Sequence, residues 1–447
     1  MIEMEKNKHH LQKGLSPRHV QFIALAGMIG TGIFKGSSDT VSLAGPSVAV
    51  SYLIGGALLF IVMSALGEMA LVHPGLNVQN LIHKAFGSRV SFIIGWLYWI
   101  NWVIVTVVEL LAAGSFLQFW VPQAPLWLLS LLCAAFVVGI NLIEVKYYGE
   151  FEFWIAGIKI ITLIVFILLG ALILFGLFPG TSSTVSNYTA HGGFFPNGLH
   201  GTFSAFLIVM FSYGGAELIG VTVSETKDSE KVLPRVIKQT VVRVMLFYIL
   251  PILIICGIIP WNQVSSVESP FVQVFSRTGI PAAAHVMNFV LLTAVLSAAN
   301  SGIYATSRTL FNMAQSGEAP RAFLKISRKG VPLTSILLTS LFILAGVILA
   351  YLTPDEVISY LMTIPGFTVV LVWIAICAAE LRLRKSYAKL PSFRVKGYPF
   401  MVWIALLALS GIFLSFLLGG GNPIGTSVCL AILIVLVVLS LRIKGKE

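Results

Sequence analysis

From Ile160 to Ala216 the chain carries no lysine, arginine, aspartate or glutamate. Uncharged stretches recur along its whole length: Thr40–Gly67, Val90–Val108, Leu110–Ile143, Val244–Val267, Thr278–Ser307, Val331–Pro354, Val357–Ala379 and Gly397–Leu441. A helix needs roughly 20 mostly apolar residues to cross the hydrocarbon core of a bilayer. Several runs are too long for one crossing and contain a break. Val121-Pro122-Gln123-Ala124-Pro125 splits one, the polar stretch Gly180–Gly201 another, and Gly419-Gly420-Gly421-Asn422-Pro423 the last. With Val20–Thr40 as the first, the pattern predicts twelve membrane helices, centred near residues 30, 58, 105, 134, 163, 213, 250, 297, 342, 368, 408 and 433. Only 11% of the residues are charged, against about 25% in a soluble domain. So few charges cannot cover a water-facing surface of this size, which excludes a soluble enzyme; the apolar content excludes disorder.

The loop charges test that helix count. Sorted by side, 26 of the 29 Lys and Arg fall on one face of the membrane, only Lys35 and Arg277 on the other, and Lys159 inside the fifth helix. This is the asymmetry of the positive-inside rule, with both termini cytoplasmic; a missed or invented helix would scramble it. The net charge of +11 therefore reads as cytoplasmic loops facing anionic lipid. Nucleic-acid binding is a poor explanation, because the charges are spread over seven segments rather than one patch. The first apolar run has no small-residue cleavage site and reads as membrane helix, not as a cleaved signal. Cys133, Cys256, Cys377 and Cys429 all lie in apolar runs and read as packing residues. Neither GxxxxGK[ST] nor HExxH occurs. The eight histidines form no metal-like cluster, so no metal or cofactor is expected and any transport energy must come from a gradient.

Two helices do not suit plain lipid-facing coils. The first reads Ala26-Gly27-Met28-Ile29-Gly30-Thr31-Gly32-Ile33-Phe34, and the sixth Phe211-Ser212-Tyr213-Gly214-Gly215-Ala216-Glu217. Glycines at that density weaken a helix at its middle. Broken backbone survives at membrane depth only where protein or a wet cavity satisfies it. Close packing through small residues explains one such segment. Two of them, at equivalent places in two five-helix units of opposite orientation, fit inverted repeats with discontinuous helices lining a central site. The half-helix restarting after Gly30 offers free N–H groups, which suit a carboxylate. The half-helices that stop offer carbonyls, which suit an ammonium. Together they describe a receptor for a zwitterionic amino acid.

Ionisable residues inside spans cost about 2.5–3.5 kcal/mol on insertion scales and call for partners. Glu109 in the third helix reads as a proton carrier, a binder of a cationic group, or a structural link to a neighbouring helix. Glu217 reads either as fixing the sixth-helix break through backbone N–H groups or as touching substrate or proton. Lys159 lies about 15 Å into a helix starting near Gly149. It reads as a proton-coupling group or as a fixed cation holding the first and eighth helices. Ser297, Asn300, Ser301 and Tyr304 share one face of the eighth helix and read as inter-helix glue or as lining the ion or proton site. Glu68 and the run Glu225–Lys238, with Pro234 at a helix start, read as solvated or gate-side structure. Trp96, Trp99 and Trp102 read as packing or interface anchors.

Leu15-Ser16-Pro17-Arg18-His19-Val20-Gln21-Phe22-Ile23-Ala24-Leu25-Ala26-Gly27-Met28-Ile29-Gly30-Thr31-Gly32-Ile33-Phe34 resembles the opening signature of the amino acid transporter family of the amino acid–polyamine–organocation superfamily. Gly95-Trp96-Leu97-Tyr98-Trp99 with Glu109 is similar to that family's third helix. Phe211 to Gly220, followed by Glu225 and Pro234, is similar to its sixth helix and loop. Ser297 to Tyr304, then Arg308 and Gly330-Val331-Pro332, is similar to its eighth helix and loop. The likeness runs nearly end to end. Lys35 departs from it, and so does Pro74-Gly75-Leu76-Asn77-Val78-Gln79, which lacks the usual Gly-Ser-Phe.

The resemblance implies an all-α polytopic membrane protein of leucine-transporter-like fold, with five plus five inverted helices and two peripheral ones. On that plan residues 1–19 are a cytoplasmic tail and 20–379 a ten-helix transport core, with repeats at about 20–176 and 201–379. Residues 380–397 are a cytoplasmic loop, 398–443 the peripheral helices and 444–447 a tail. It implies a cell-membrane permease, not an enzyme, importing an α-amino acid by alternating access, usually with protons. Its partners are then the amino acid, protons and the lipid bilayer. Ile29, Gly30, Thr31 and Gly32 would hold the carboxylate; carbonyls near Met28 and from Phe211 through Ser212 to Tyr213 would hold the ammonium. Gly214, Glu217 and Glu109 complete the expected substrate site, and Lys159, Ser297, Asn300 and Ser301 the expected proton-coupling set. Lys159 is similar to a lysine filling a sodium-site position in sodium-independent relatives. Phe211, Tyr213 and the neighbouring glycines suggest a neutral, mid-sized to large substrate, while Glu109 keeps a cationic one open. The rival readings are an amino acid or amine exchanger, a non-transporting sensor and an ion channel.

Overall fold

The computed structural model describes residues 22, 25, 27–74, 76–142, 145–219, 229–264, 269–276, 282–327, 330–352, 357–420 and 423–443. Both predicted tails, His9, His10, Glu225 and Arg277 lie outside the described residues. Within them the chain is an all-α polytopic membrane protein. Among the described residues eight helices are long and apolar enough to cross a membrane, and Leu126–Asn141, Gly198–Tyr213 and Leu333–Leu349 are shorter apolar helices.

The first predicted span resumes after a break as α1 (Thr31–Phe34) and α2 (Gly36–Ala44). The second is α3 (Val48–Val72). A short helix, α4 (Val78–Phe86), leads into the third span, α5 (Ser88–Gln118). The fourth and fifth are α6 (Leu126–Asn141) and α7 (Val145–Leu174). The sixth is α8 (Gly198–Ser204) and α9 (Phe206–Tyr213), ending at its own break. The seventh is α10 (Ser229–Ile258), followed by the short α11 (Pro270–Ser276). The eighth to tenth are α12 (Ala283–Gln315), α13 (Leu333–Leu352) and α14 (Val357–Leu383). The last two are α15 (Phe400–Ser415) and α16 (Pro423–Ser440).

Burial sorts these helices into a centre and a rim. In α5, α12 and α14 some 78% of the apolar window is buried, against 22% in the windows of α15 and α16. The central three pack along one another, α5 against both α12 and α14. Facing lipid, α15 and α16 expose Phe400, Leu407, Ile434 and Val435, a placement that costs nothing in hydrocarbon and would be unfavourable in water.

Several local expectations change. α4 was not anticipated, because nine residues with His83 and Lys84 in them look like loop. Its Asn77 caps the helix by accepting the Asn80 N–H at 2.9 Å. Its apolar face, Val78, Leu81, Ile82 and Ala85, is buried. Glu318, just past α12, docks it by accepting from Gln79 Nε2 at 2.5 Å, with His83 Nδ1 at 2.7 Å and Ser91 Oγ at 2.9 Å. Glu68 is not solvated: it is fully buried, taking the Val395 N–H at 2.8 Å and Arg384 Nη1 at 3.1 Å. The apolar α3 carries it inward, and Arg384 supplies the charge it then needs. Pro234 lies inside α10, whose described part already runs from Ser229, rather than at its start. The described part of α7 already runs from Val145, about 21 Å along the helix before Lys159 and so longer than expected.

Candidate functional site

The first break follows from glycine. Ile29 still donates to Leu25 O at 3.0 Å, but Gly30 is extended, with φ −146° and ψ −147°. Helix resumes at Thr31, whose N–H has no carbonyl one turn back to bond. Glu109 on α5 takes it instead. The Thr31 N–H donates to Glu109 Oε1 and Oε2 at 3.0 and 3.1 Å, and the Thr31 hydroxyl to Oε1 at 2.9 Å. A carboxylate on a helix-starting N–H is favourable both as a charge-assisted hydrogen bond and through the helix dipole. The carbonyls left behind are also taken. Lys159 Nζ on α7 donates to Ile29 O at 2.8 Å, and the Tyr248 hydroxyl on α10 to Met28 O at 2.6 Å.

The second break sits after Tyr213. Gly214 still donates to Met210 O at 3.0 Å. Gly215 then takes φ +104°, a left-handed region that favours glycine. Its N–H donates to the carboxylate of Glu217, only two residues on, at 3.1 and 3.2 Å. The Glu217 carboxylate thus meets a backbone N–H of the break itself. Ser212 O lies 2.8 Å from the same Tyr248 hydroxyl, whose single proton it shares with Met28 O.

The two breaks face each other backbone to backbone. A Cβ on Gly32 would lie 2.7 Å from Ser212 Cα, and one on Gly215 would lie 2.8 Å from Gly27 O. Ser212 Oγ is 2.9 Å from Gly32 O, and Tyr248 Oη touches a carbonyl of each break. Between them lies a narrow void lined by Met28, Gly32, Glu109, Phe211 and Gly214 from the expected site, with Asn101, Trp102, Val105 and Val369. As shaped here it has room for little more than one water molecule.

Behind the first break lies a charged group of three. Lys159 is buried within Coulomb reach of Glu152 and Glu109. Glu152 accepts from Ser297 Oγ at 2.6 Å and from Asn300 Nδ2 at 2.5 Å; Asn300 Oδ1 in turn accepts from Asn141 Nδ2 at 2.6 Å. Ser301 is buried on the same helix. So Ser297 and Asn300, assigned to proton coupling, meet a carboxylate of α7, while Lys159 reaches the first helix. Among the described residues no three His, Cys, Asp or Glu side chains are grouped to hold a metal ion.

Ile29, Gly30 and Thr31 do not line the void; they make its wall from behind, where Glu109 and Lys159 hold their main chain. Three partners escaped the sequence reading. Glu152 precedes Lys159 by seven residues, two helical turns, and so shares its face; that spacing was an available signal. Tyr248 and Asn101 carried none, since one polar side chain in an apolar run is ordinary.

The model of the family described as "Amino acid permease" matches residues 19–447. The uncharacterized amino acid permease YvbW of Bacillus subtilis (strain 168) is 41% identical over 99% of this chain and 100% of its own length. The gamma-aminobutyric acid permease of the same strain is 38% identical over 92% of this chain and 89% of its own length. The aromatic amino acid transport protein AroP of Escherichia coli (strain K12) is 36% identical over 98% of this chain and 96% of its own length.

Proposed function

The chain belongs to the amino acid permease family, and from that premise we propose that it imports a neutral α-amino acid across the cell membrane by proton symport, both termini facing the cytoplasm. The observation that carries this reading is the Glu109 carboxylate on the Thr31 N–H, at the edge of a void between two broken helices. Glu109 occupies the position that a substrate carboxylate would take. An amino acid therefore enters by exchanging its own carboxylate for that of Glu109, and its ammonium lies toward the carbonyls near Met28 and Ser212.

Protons join through the same residue. Ionised Glu109 is an acceptor only; protonated, one of its oxygens becomes a donor and its hold on the Thr31 N–H loses the charge that strengthens it. The buried group of Glu109, Glu152 and Lys159 also holds two acids and one base. A single ammonium cannot neutralise both carboxylates, and uncompensated charge is costly in a dry interior. One proton makes the group neutral. Differential affinity of proton and substrate for outward- and inward-facing states then shifts their populations, which is what alternating access requires. The narrowness of the void fits a closed state that must part to admit a ligand. Relatives named for aromatic amino acids and for γ-aminobutyric acid handle molecules that carry one carboxylate and one ammonium, the two groups this geometry suits.

Purified protein in liposomes tests the reading, with the twenty amino acids offered singly and with or without an imposed pH gradient, acid outside. At least one neutral amino acid should accumulate above its external concentration only with the gradient. Neither accumulation nor counterflow of any of them would refute transport, and counterflow indifferent to the gradient would replace symport with exchange.

A further inference from the structure

The wall of the void opposite the breaks has a composition of its own. Asn101, Val105 and Glu109 recur every four residues on α5, share one face of it, and all line the void. Asn101 and Glu109 are eight residues apart, about 12 Å along the helix axis. Between and around them the lining is apolar: Val105, Trp102, Phe211 and Val369. A ligand whose charged head is held near Glu109 and the breaks therefore has an apolar sleeve for its side chain and a single amide at the far end.

That amide is held in place. Asn101 is buried, and the Thr368 hydroxyl on α14 donates to its Oδ1 at 2.8 Å. Thr368 is buried as well, with its Oγ1 2.9 Å from Ile364 O one turn back. Thr368 engages the oxygen of the amide, and Asn101 is at the same time one of the residues that line the void. A buried amide calls for partners on both sides.

We propose that Asn101 reads the tip of the substrate's side chain, and that the site prefers neutral amino acids whose long apolar side chain ends in a hydrogen-bonding group, tyrosine being the best fit. The inference rests on the permease reading above and names the substrate class of that same site. A phenol both donates and accepts, so it satisfies whichever side of the amide faces it. Phenylalanine fills the same sleeve and leaves the amide unpaired. Sites built to bond a hydroxyl reject the analogue lacking it for this reason, whereas apolar contacts alone separate near-isosteres weakly. Thr368 acts through Asn101 and is a positioning residue.

The test is the ratio of kcat/KM for tyrosine to that for phenylalanine in proteoliposomes. Wild type should favour tyrosine by at least about tenfold, the factor carried by roughly one net hydrogen bond. Asn101→Leu, similar in size and without polar atoms, should bring the ratio near unity. Thr368→Val should lower it part of the way. A purely structural link between α5 and α14 would slow both substrates together and leave the ratio alone, which would overturn the proposal; so would a wild-type ratio near unity. Should Asn101→Leu fail to fold, the ratio in Thr368→Val decides by the same criterion. Uptake of neither substrate nor of any other amino acid by wild type would instead sink the permease reading, a separate outcome.

Discussion

The two helix breaks answer one chemical problem in different ways. At the first, the exposed main chain is satisfied by side chains from three other spans: Glu109 of α5, Lys159 of α7 and Tyr248 of α10. At the second, the N–H of Gly215 is satisfied by Glu217, two residues away on the same segment. A locally capped break keeps its partner however the surrounding helices move. A remotely capped one changes partners when those helices shift or when a proton is added. On the proposed reading the first break is the responsive half of the site, and the second, tied to another span through Ser212 O and Tyr248, is the more fixed wall.

The largest expected effect follows from cutting a remote tie. Lys159→Met removes the ammonium from Ile29 O and leaves Glu109 and Glu152 facing each other without a base. Breaking a buried charge pair costs about 3–5 kcal/mol, so gradient-driven accumulation should fall by at least about a hundredfold, while some substrate binding survives. Undiminished uphill uptake by that variant would detach the first break from coupling.

Tyr248→Phe should do less. It removes the hydroxyl whose single proton is shared between Met28 O and Ser212 O, leaving the two buried carbonyls without that donor. The cost of an unsatisfied buried group is about 1–3 kcal/mol, which predicts a fall in uptake of about tenfold, measured as initial rate at fixed gradient. Uptake at the wild-type rate would mean that the two breaks do not need their shared hydroxyl.

The smallest effect should come from the second break. Glu217→Gln keeps an acceptor for the Gly215 N–H and loses only its charge. It should lower thermal stability by about 1 kcal/mol and leave the gradient dependence of uptake as in wild type. If Glu217→Gln uncouples uptake from the gradient as fully as Lys159→Met, the contrast between the breaks is gone.

Much of this was legible beforehand because membrane physics leaves few choices. Charge-free runs located the spans, and the glycines at 27, 30 and 32 and at 214 and 215 located the breaks. Lys159 stood out as the only base inside a span. Glu152 did not, because it lies near the predicted start of its helix, among Glu144, Glu150 and other residues that look like loop. Tyr248 and Asn101 matter through what they face, Met28 O, Ser212 O and the void, and facing is fixed by packing between spans that are distant in sequence. The expected open N-terminus at Thr31 was filled for the same reason: glycine predicts a break, but only the tertiary fold shows that Glu109 reaches it.

The central claim is that Glu109 holds the place of a substrate carboxylate, and a structure determined with a bound amino acid tests it most directly through the partner of the Thr31 N–H. The account predicts the ligand's carboxylate within about 3 Å of that nitrogen, with Glu109 withdrawn from it. A bound amino acid elsewhere, with both Glu109 oxygens still on Thr31, would contradict it.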